Sequence, residues 1–238
     1  MNFHDKLVLV TGGTGGLGRE VTMAFLEAGA RVLVTYRRAE ELAALVSSAE
    51  RIGAKPPEGA AVDVTDLAAV EQFVAGTVKK IGRIDVLVNA VGGYAGGTNL
   101  WEVDPRVYDQ MLQLNLKAGF ALARAVVPVM IRQNRGWIVN VASKAAVDHG
   151  AGGALYAASK AGALALFDSL AAEVKAYNIN VNSVLPSIID TAANRAAMPQ
   201  ADFSKWPKPE EIARVILFLC SEEALVIHGA AIPVYGKT

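Results

Sequence analysis

A glycine-rich turn near the N-terminus constrains the fold of this chain more than any other feature. The apolar run 6–10 has the length and character of a buried strand, and residues 16–28 follow with helical periodicity. Glycines at such a junction allow a tight turn and let the backbone approach an anion at the helix N-terminus. The turn therefore predicts a phosphate-binding loop, which reads Thr11-Gly12-Gly13-Thr14-Gly15-Gly16-Leu17-Gly18.

The rest of the chain continues the alternation of short apolar strands with longer helical patterns. Such alternation predicts an α/β fold, a doubly wound parallel sheet of about seven strands with helices on both faces. We expect one domain over residues 1–238, in which the irregular segment 186–207 is a substrate loop or carries short helices. The further strands are predicted at 31–35, 60–64, 84–89, 137–142, 179–185 and 231–234, and the further helices at 39–52, 66–81, 105–133, 154–177 and 209–221.

Composition narrows the classes of partner. The 23 basic and 23 acidic residues balance, which argues against a nucleic-acid surface or a polybasic membrane patch. Charged residues interrupt the longest apolar stretches, so no membrane span is expected. The lone Cys220 excludes a disulfide within the chain, and the polar N-terminus does not resemble a signal peptide. We therefore expect a cytoplasmic protein that binds neither nucleic acid nor membrane.

The sequence Tyr156-Ala-Ala-Ser-Lys160, with Ser143 thirteen residues before the tyrosine, predicts a proton-transfer site. Positions i and i+4 lie on one helix face, so the phenol and the ammonium can be neighbours. A desolvated cation favours the phenolate, and a phenol pKa lowered in this way suits general acid–base chemistry near neutral pH. A lone pattern of this kind is common by chance, so its meaning depends on the rest of the chain.

The residues after the second predicted strand indicate which dinucleotide is bound. An acidic residue is expected there when a ribose 2′-hydroxyl is held, but the strand ends Tyr36-Arg37-Arg38. Two cations suit a 2′-phosphate, which favours NADP(H) while leaving NAD(H) possible. The alternative is that both arginines simply begin a solvated helix.

These motifs together resemble the short-chain dehydrogenase/reductase family over nearly the whole chain, particularly its 3-oxoacyl carrier-protein reductases. The family match implies a Rossmann fold and a catalytic tetrad of Asn115, Ser143, Tyr156 and Lys160. In that tetrad Tyr156 would exchange a proton with the substrate oxygen and Ser143 would hydrogen-bond the same oxygen. Lys160 would bind the nicotinamide ribose and lower the pKa of Tyr156, and Asn115 would help to hold a water beside Lys160.

The resemblance also implies the binding residues, although the chain departs from the family pattern in places. Ser187 replaces a usual glycine after Pro186, Val91 alters the turn after the fourth strand, and Thr14 stands where many NADP-preferring members carry a cation. The substrate pocket is expected to include Ser143, Ala145, His149, Tyr156 and Trp206, and no metal site is expected. The cofactor is expected to contact Thr11, Gly12, Thr14, Gly16, Leu17, Gly18, Tyr36, Arg37, Arg38, Asp63, Val64, Asn89, Ala90, Gly92, Lys160, Pro186, Ile189 and Thr191.

The sequence thus favours an NADP(H)-dependent oxidoreductase that interconverts a ketone or 3-oxoacyl group and a secondary alcohol. Three alternatives remain open at this point: a catalytically silent cofactor-binding scaffold, an NAD(H)-dependent sugar or alcohol dehydrogenase, and an epimerase or dehydratase of the same fold. The resemblance further implies a homotetramer or homodimer formed through the helices predicted at 105–133 and 154–177.

Overall fold

A single parallel sheet of seven strands organises the computed structural model, which describes residues 1–238. The strand order is β3-β2-β1-β4-β5-β6-β7, so the chain reverses direction across the sheet between β1 and β4. All six strand pairings are parallel, as expected for strands joined by helical crossovers. The strands are β1 (Leu7–Thr11), β2 (Arg31–Tyr36), β3 (Glu58–Ala61), β4 (Val86–Asn89), β5 (Gly136–Val141), β6 (Ile179–Pro186) and β7 (Ala231–Val234).

Helices cover both faces of this sheet and enclose two apolar layers. One layer includes Phe25 and Ile216, and the other includes Leu122 and Phe167, all of them fully or almost fully buried. The helices are α1 (Gly16–Glu27), α2 (Ala39–Arg51), α3 (Leu67–Ile81), α4 (Pro105–Leu112), α5 (Ala118–Gln133), α6 (Ala154–Val174), α7 (Ala192–Ala197) and α8 (Pro209–Leu219). The α/β class, the parallel sheet and the strand number predicted from the sequence are confirmed.

Several elements differ in detail from the sequence prediction, and three of these differences lie at predicted site residues. Strand β3 lies earlier than predicted because residues 58–61 pair with β2, after which Asp63 caps a turn with Thr65. The helix predicted at 105–133 contains a π-helical turn at Gln113–Lys117, between α4 and α5. The segment 186–207 carries α7 and a 3₁₀ turn at Phe203–Lys205.

The helical stretch Pro105–Gln133 has the length and apolarity of a membrane span. Half of its most apolar 18-residue stretch is nevertheless buried inside the protein, where Leu122 and Met130 pack in the core. We therefore interpret it as a core helix.

Candidate active site

The glycine-rich loop lies at the carboxyl end of β1, beside β4, where the strand order reverses. Ligands of open α/β sheets bind at such switch points. A Cβ atom on Gly18 would overlap the Gly12 carbonyl oxygen, so only glycine allows α1 to pack this closely on the loop. The shape of this site therefore depends on the close approach of the α1 backbone to the glycine-rich loop.

This loop fits the pyrophosphate of a dinucleotide. Gly15 precedes the first helical residue of α1 and provides no side-chain cap for its free N–H groups. Those donors and the helix dipole are available to an anion. The N–H of Gly12 is used instead to anchor the loop, because it donates to the Thr35 hydroxyl at 3.1 Å.

A cavity of about 560 Å³ opens from this loop toward the segment 186–207. Its volume and half-apolar lining suit a cofactor end together with a small molecule. Leu17, Ala90, Gly92, Pro186 and Ile189, all predicted to contact the cofactor, line it. Ser143, Tyr156 and Lys160, three members of the predicted tetrad, line the same cavity.

Tyr156 lies at the start of α6, with its phenol facing this cavity. Burial raises the pKa of Tyr156, while the neighbouring Ser143 hydroxyl lowers it and Tyr94 adds to the increase. The Ser143 hydroxyl is oriented by the N–H of Ala145, which donates to it at 3.1 Å. Tyr156 therefore carries its proton at neutral pH in the protein without cofactor and can act as a donor.

Lys160 lies one helical turn after Tyr156 and is buried. Its Nζ donates to the Val141 carbonyl oxygen at 2.9 Å, and burial lowers the Lys160 pKa to about 8. The expected lowering of the Tyr156 pKa by Lys160 is not seen. The ammonium is directed to a backbone oxygen of β5, and burial dominates the environment of the phenol.

Asn115 is buried within the π-helical turn, an irregularity that often marks a functional position. Its side chain accepts from the N–H of Gly93 at 2.9 Å and donates to the Gly93 carbonyl and to Ser159, each at 3.0 Å. Asn115 Oδ1 and Lys160 Nζ each lie 2.9 Å from the position of a Cβ on Gly92. A side chain at Gly92 would therefore collide with both polar groups, so glycine lets the loop after β4 pass close to them.

Thr11 and Asn89 hold the sheet together rather than face the cavity. The Thr11 hydroxyl donates to Asn89 Oδ1 at 3.3 Å, and Asn89 Nδ2 donates to Asn140 Oδ1 at 3.0 Å. Both side chains are buried. Their effect on a bound cofactor would therefore pass through the loops that follow β1 and β4.

The adenosine end of the predicted site carries Arg37, Arg38 and Asp63. Arg38 is exposed and forms an ion pair with Glu41, whereas Arg37 is exposed without an ion pair. Asp63 accepts from the backbone and hydroxyl of Thr65, and these hydrogen bonds hold its pKa below the usual range. Tyr36 is half-buried, and Val64 is buried in the core next to Asp63.

The segment after β6 folds back over the glycine loop. The Thr191 side chain caps α7 by accepting from the N–H of Asn194, and its Cγ2 lies 3.0 Å from the Cβ position of Gly16. This contact puts Thr191 beside the predicted pyrophosphate position.

Two of the five residues expected in the substrate pocket lie outside the cavity. Trp206 is buried against Phe203, with ring centroids 4.9 Å apart, so its apolar ring serves packing. His149 is exposed on the loop before α6, and its neighbour Asp148 lines the cavity instead. Ala145 does line it, beside Ser143 and Tyr156.

Sequence reasoning missed Tyr94, which lines the cavity and packs edge-on against Tyr156 with ring centroids 5.0 Å apart. It also missed Asn194 and Met198 of the segment 186–207, which line the cavity too. The one available signal for Tyr94 was its position in a glycine-rich loop directly after a buried strand. Loops in that position of an α/β fold carry functional residues.

Comparison with known proteins settles the family. A sequence profile described as short chain dehydrogenase matches residues 6–202. The chain belongs to the short-chain dehydrogenase/reductase family. It is 36% identical to the 3-oxoacyl-acyl-carrier-protein reductase FabG of Thermotoga maritima, over 99% of this chain and 98% of that protein. It is 33% identical to the 7alpha-hydroxysteroid dehydrogenase of Bacteroides fragilis, over 98% of this chain and 94% of that protein.

Solved structures of this family superpose closely on the chain. A short-chain dehydrogenase/reductase from Mycobacterium ulcerans matches with a TM-score of 0.94 and 26% identity, over 100% of this chain and 90% of that one. ElxO with NADP bound matches with a TM-score of 0.89 and 28% sequence identity, and the match covers 97% of both chains. NAD⁺-bound xylitol dehydrogenase matches with a TM-score of 0.91 and 26% sequence identity, over 99% of this chain and 100% of that one. This short-chain dehydrogenase/reductase is therefore an NAD(P)-dependent oxidoreductase for carbonyl or alcohol substrates.

Proposed function

We propose that this short-chain dehydrogenase/reductase is an NADP(H)-preferring reductase of a ketone or 3-oxoacyl group. The observation that carries the proposal is the arrangement of Ser143, Tyr156 and Lys160 around one cavity that begins at the glycine loop. FabG reductases among the relatives act on 3-oxoacyl groups, and the half-apolar lining accommodates an acyl chain or a bulky ketone.

Tyr156 would be the general acid in reduction. Its raised pKa keeps the phenol protonated at neutral pH, so it can give a proton to the oxygen of the substrate as the alcohol forms. The Ser143 hydroxyl would donate a hydrogen bond to the same oxygen and stabilise its developing negative charge. When bound, the nicotinamide cofactor supplies or accepts the hydride.

Lys160 and Asn115 would position the cofactor and renew the proton. With a pKa of about 8, the Lys160 amine is mostly protonated at pH 7 and can donate to the nicotinamide ribose. Gly92 and Lys160 line the cavity, and a water bound there near Asn115 would exchange protons with Lys160. The segment 186–207, with Met198 and Asn194 at the cavity, would form the substrate loop.

The preference for NADP(H) rests on Arg37 and Arg38. Arg37 is exposed after β2 and has no ion pair, so it is free to meet a 2′-phosphate. The structural relatives include one with NADP and one with NAD⁺ bound, so family membership alone does not decide the cofactor.

The test is consumption of NADPH, followed by absorbance, with a panel of 3-oxoacyl thioesters, cyclic ketones and steroid ketones. We expect NADPH oxidation that requires one class of carbonyl and that runs more slowly with NADH. Tight NADPH binding without turnover of any carbonyl would instead support a silent scaffold.

We further propose that the chain acts in the cytoplasm as a homodimer or homotetramer. Tyr108 of α4 and Phe120 of α5 are exposed apolar residues, and α6 exposes the small residues Ala158, Ala165 and Ala172. Small residues allow two helices to approach closely across an interface. Light scattering should give the mass of two or four chains, and a mass of one chain would contradict this proposal.

A further inference from the structure

Glu41 places a carboxylate at the edge of the predicted adenosine site, where the end of β2 offers none. It belongs to the first turn of α2, three residues after Arg38. Its Oε2 accepts from the Thr14 hydroxyl of the glycine loop at 2.9 Å, and its Oε1 accepts from Arg38 Nε at 2.9 Å. Glu41 therefore bridges the glycine loop and the turn that follows β2.

This bridge spans the crevice that the adenosine ribose would enter. In dinucleotide-binding folds that ribose lies between the glycine loop and the end of the second strand. The loop itself is fixed to β2, because the N–H of Gly12 donates to the Thr35 hydroxyl. Because the glycine loop and the end of β2 are both held in place, the Glu41 carboxylate stays within reach of a ligand bound between them.

The charge of Glu41 opposes that of Arg38. The Arg38 guanidinium and the Thr14 hydroxyl hold the pKa of Glu41 below its usual range, and Glu41 in turn raises the Arg38 pKa. Glu41 is therefore ionised at neutral pH and partly neutralises Arg38. Arg37, whose charge also acts on Glu41 and on Asp63, has no ion pair of its own.

The two dinucleotides would meet this carboxylate differently. A ribose 2′-hydroxyl can donate a hydrogen bond to a carboxylate. A 2′-phosphate repels the carboxylate and competes with it for Arg38. The arginines and Glu41 therefore act in opposite directions on the same position of the cofactor.

We propose that Glu41 is a specificity-determining residue that reduces the preference for NADP(H) and keeps NAD(H) usable. The inference rests on the proposed function, since it presumes that a dinucleotide occupies the glycine loop. Glu41 of α2 would thus take the role of the acidic residue that is missing from the end of β2.

The experiment measures dissociation constants for NADP⁺ and NAD⁺ by calorimetry, without a carbonyl substrate. The proteins compared are the wild type, Glu41→Gln and the control Glu40→Gln. The first substitution keeps the size of the side chain, and the new amide oxygen can still accept from Thr14. Glu40 has the same charge on the same helical turn, but its side chain is 74% exposed and lies 3.8 Å from Arg38.

For Glu41→Gln we expect the ratio of the NAD⁺ to the NADP⁺ dissociation constant to rise about tenfold, as the loss of one nearby charge implies. Glu40→Gln should leave the ratio within about twofold, because exposed charges are screened. A ratio that stays unchanged or falls in Glu41→Gln, with the thermal midpoint preserved, would overturn the proposal. If wild type bound neither dinucleotide, the proposed function would fail and the role of Glu41 with it.

Discussion

Replacing Tyr156 with Phe should lower the rate of carbonyl reduction by about 10³-fold, within the range that general acid catalysis contributes. The substitution removes the proton donor but keeps the ring that packs against Tyr94. NADP⁺ affinity should change by less than about threefold, because the phenol is not expected to hold the phosphates. Steady-state rates with NADPH and a calorimetric titration of NADP⁺ check both expectations.

The matched control for this variant is Tyr94→Phe. Tyr94 lines the same cavity and touches Tyr156, but its hydroxyl is not assigned to proton transfer. Its loss should therefore reduce the rate far less than the loss of the Tyr156 hydroxyl. Equal losses in the two variants, or a Tyr156→Phe enzyme with the wild-type rate, would contradict the assignment of the general acid.

Replacing Lys160 with Met should lower the reduction rate by about 10²-fold or more, through lost orientation and proton supply. The same change should stabilise the protein without cofactor at pH 7. The shift of the Lys160 pKa from 10.5 to about 8 corresponds to roughly 3 kcal/mol for keeping the buried amine charged. The variant also loses the hydrogen bond to the Val141 carbonyl, which costs about 1 kcal/mol. The net gain in the free energy of unfolding is therefore about 2 kcal/mol.

The pH dependence of this stability difference follows from the lowered pKa. Between about pH 8 and pH 10.5 the folded protein loses the Lys160 proton while the unfolded chain keeps it. Wild-type stability should therefore rise relative to Lys160→Met over that range, and the difference should be largest below pH 8. Urea denaturation of both proteins at pH 7 and pH 10 measures it. A variant less stable than wild type at pH 7, or a difference independent of pH, would contradict the buried ammonium.

The sequence was sufficient to predict elements whose signals are local. The glycine turn, the alternation of strands and helices, and the helical spacing of Tyr156 and Lys160 each depend on neighbouring residues. A cap residue followed by proline is also a local signal for a helix start, and at the start of α4 Asp104 accepts from the N–H of Arg106 at 2.9 Å.

Features that depend on tertiary contacts could not be predicted in this way. Glu41 is one of several acidic residues on an amphipathic helix until the fold brings it to Thr14. Burial of Trp206 against Phe203 depends on how the segment after β6 folds back. The pKa of Tyr156 depends on the balance between burial and the direction of the Lys160 amine, which no spacing in the sequence reveals.

Hydride is expected to move directly between a dinucleotide held at the glycine loop and a carbonyl held at Ser143 and Tyr156. The most direct measurement uses NADPH deuterated at C4 of the nicotinamide, with the best carbonyl from the panel, and analyses the product by mass spectrometry and NMR. We predict one deuterium on the carbinol carbon when one face of C4 carries the label, and none when the other face does. An alcohol product without deuterium from either labelled cofactor, or no alcohol product at all, would rule out direct hydride transfer at this site.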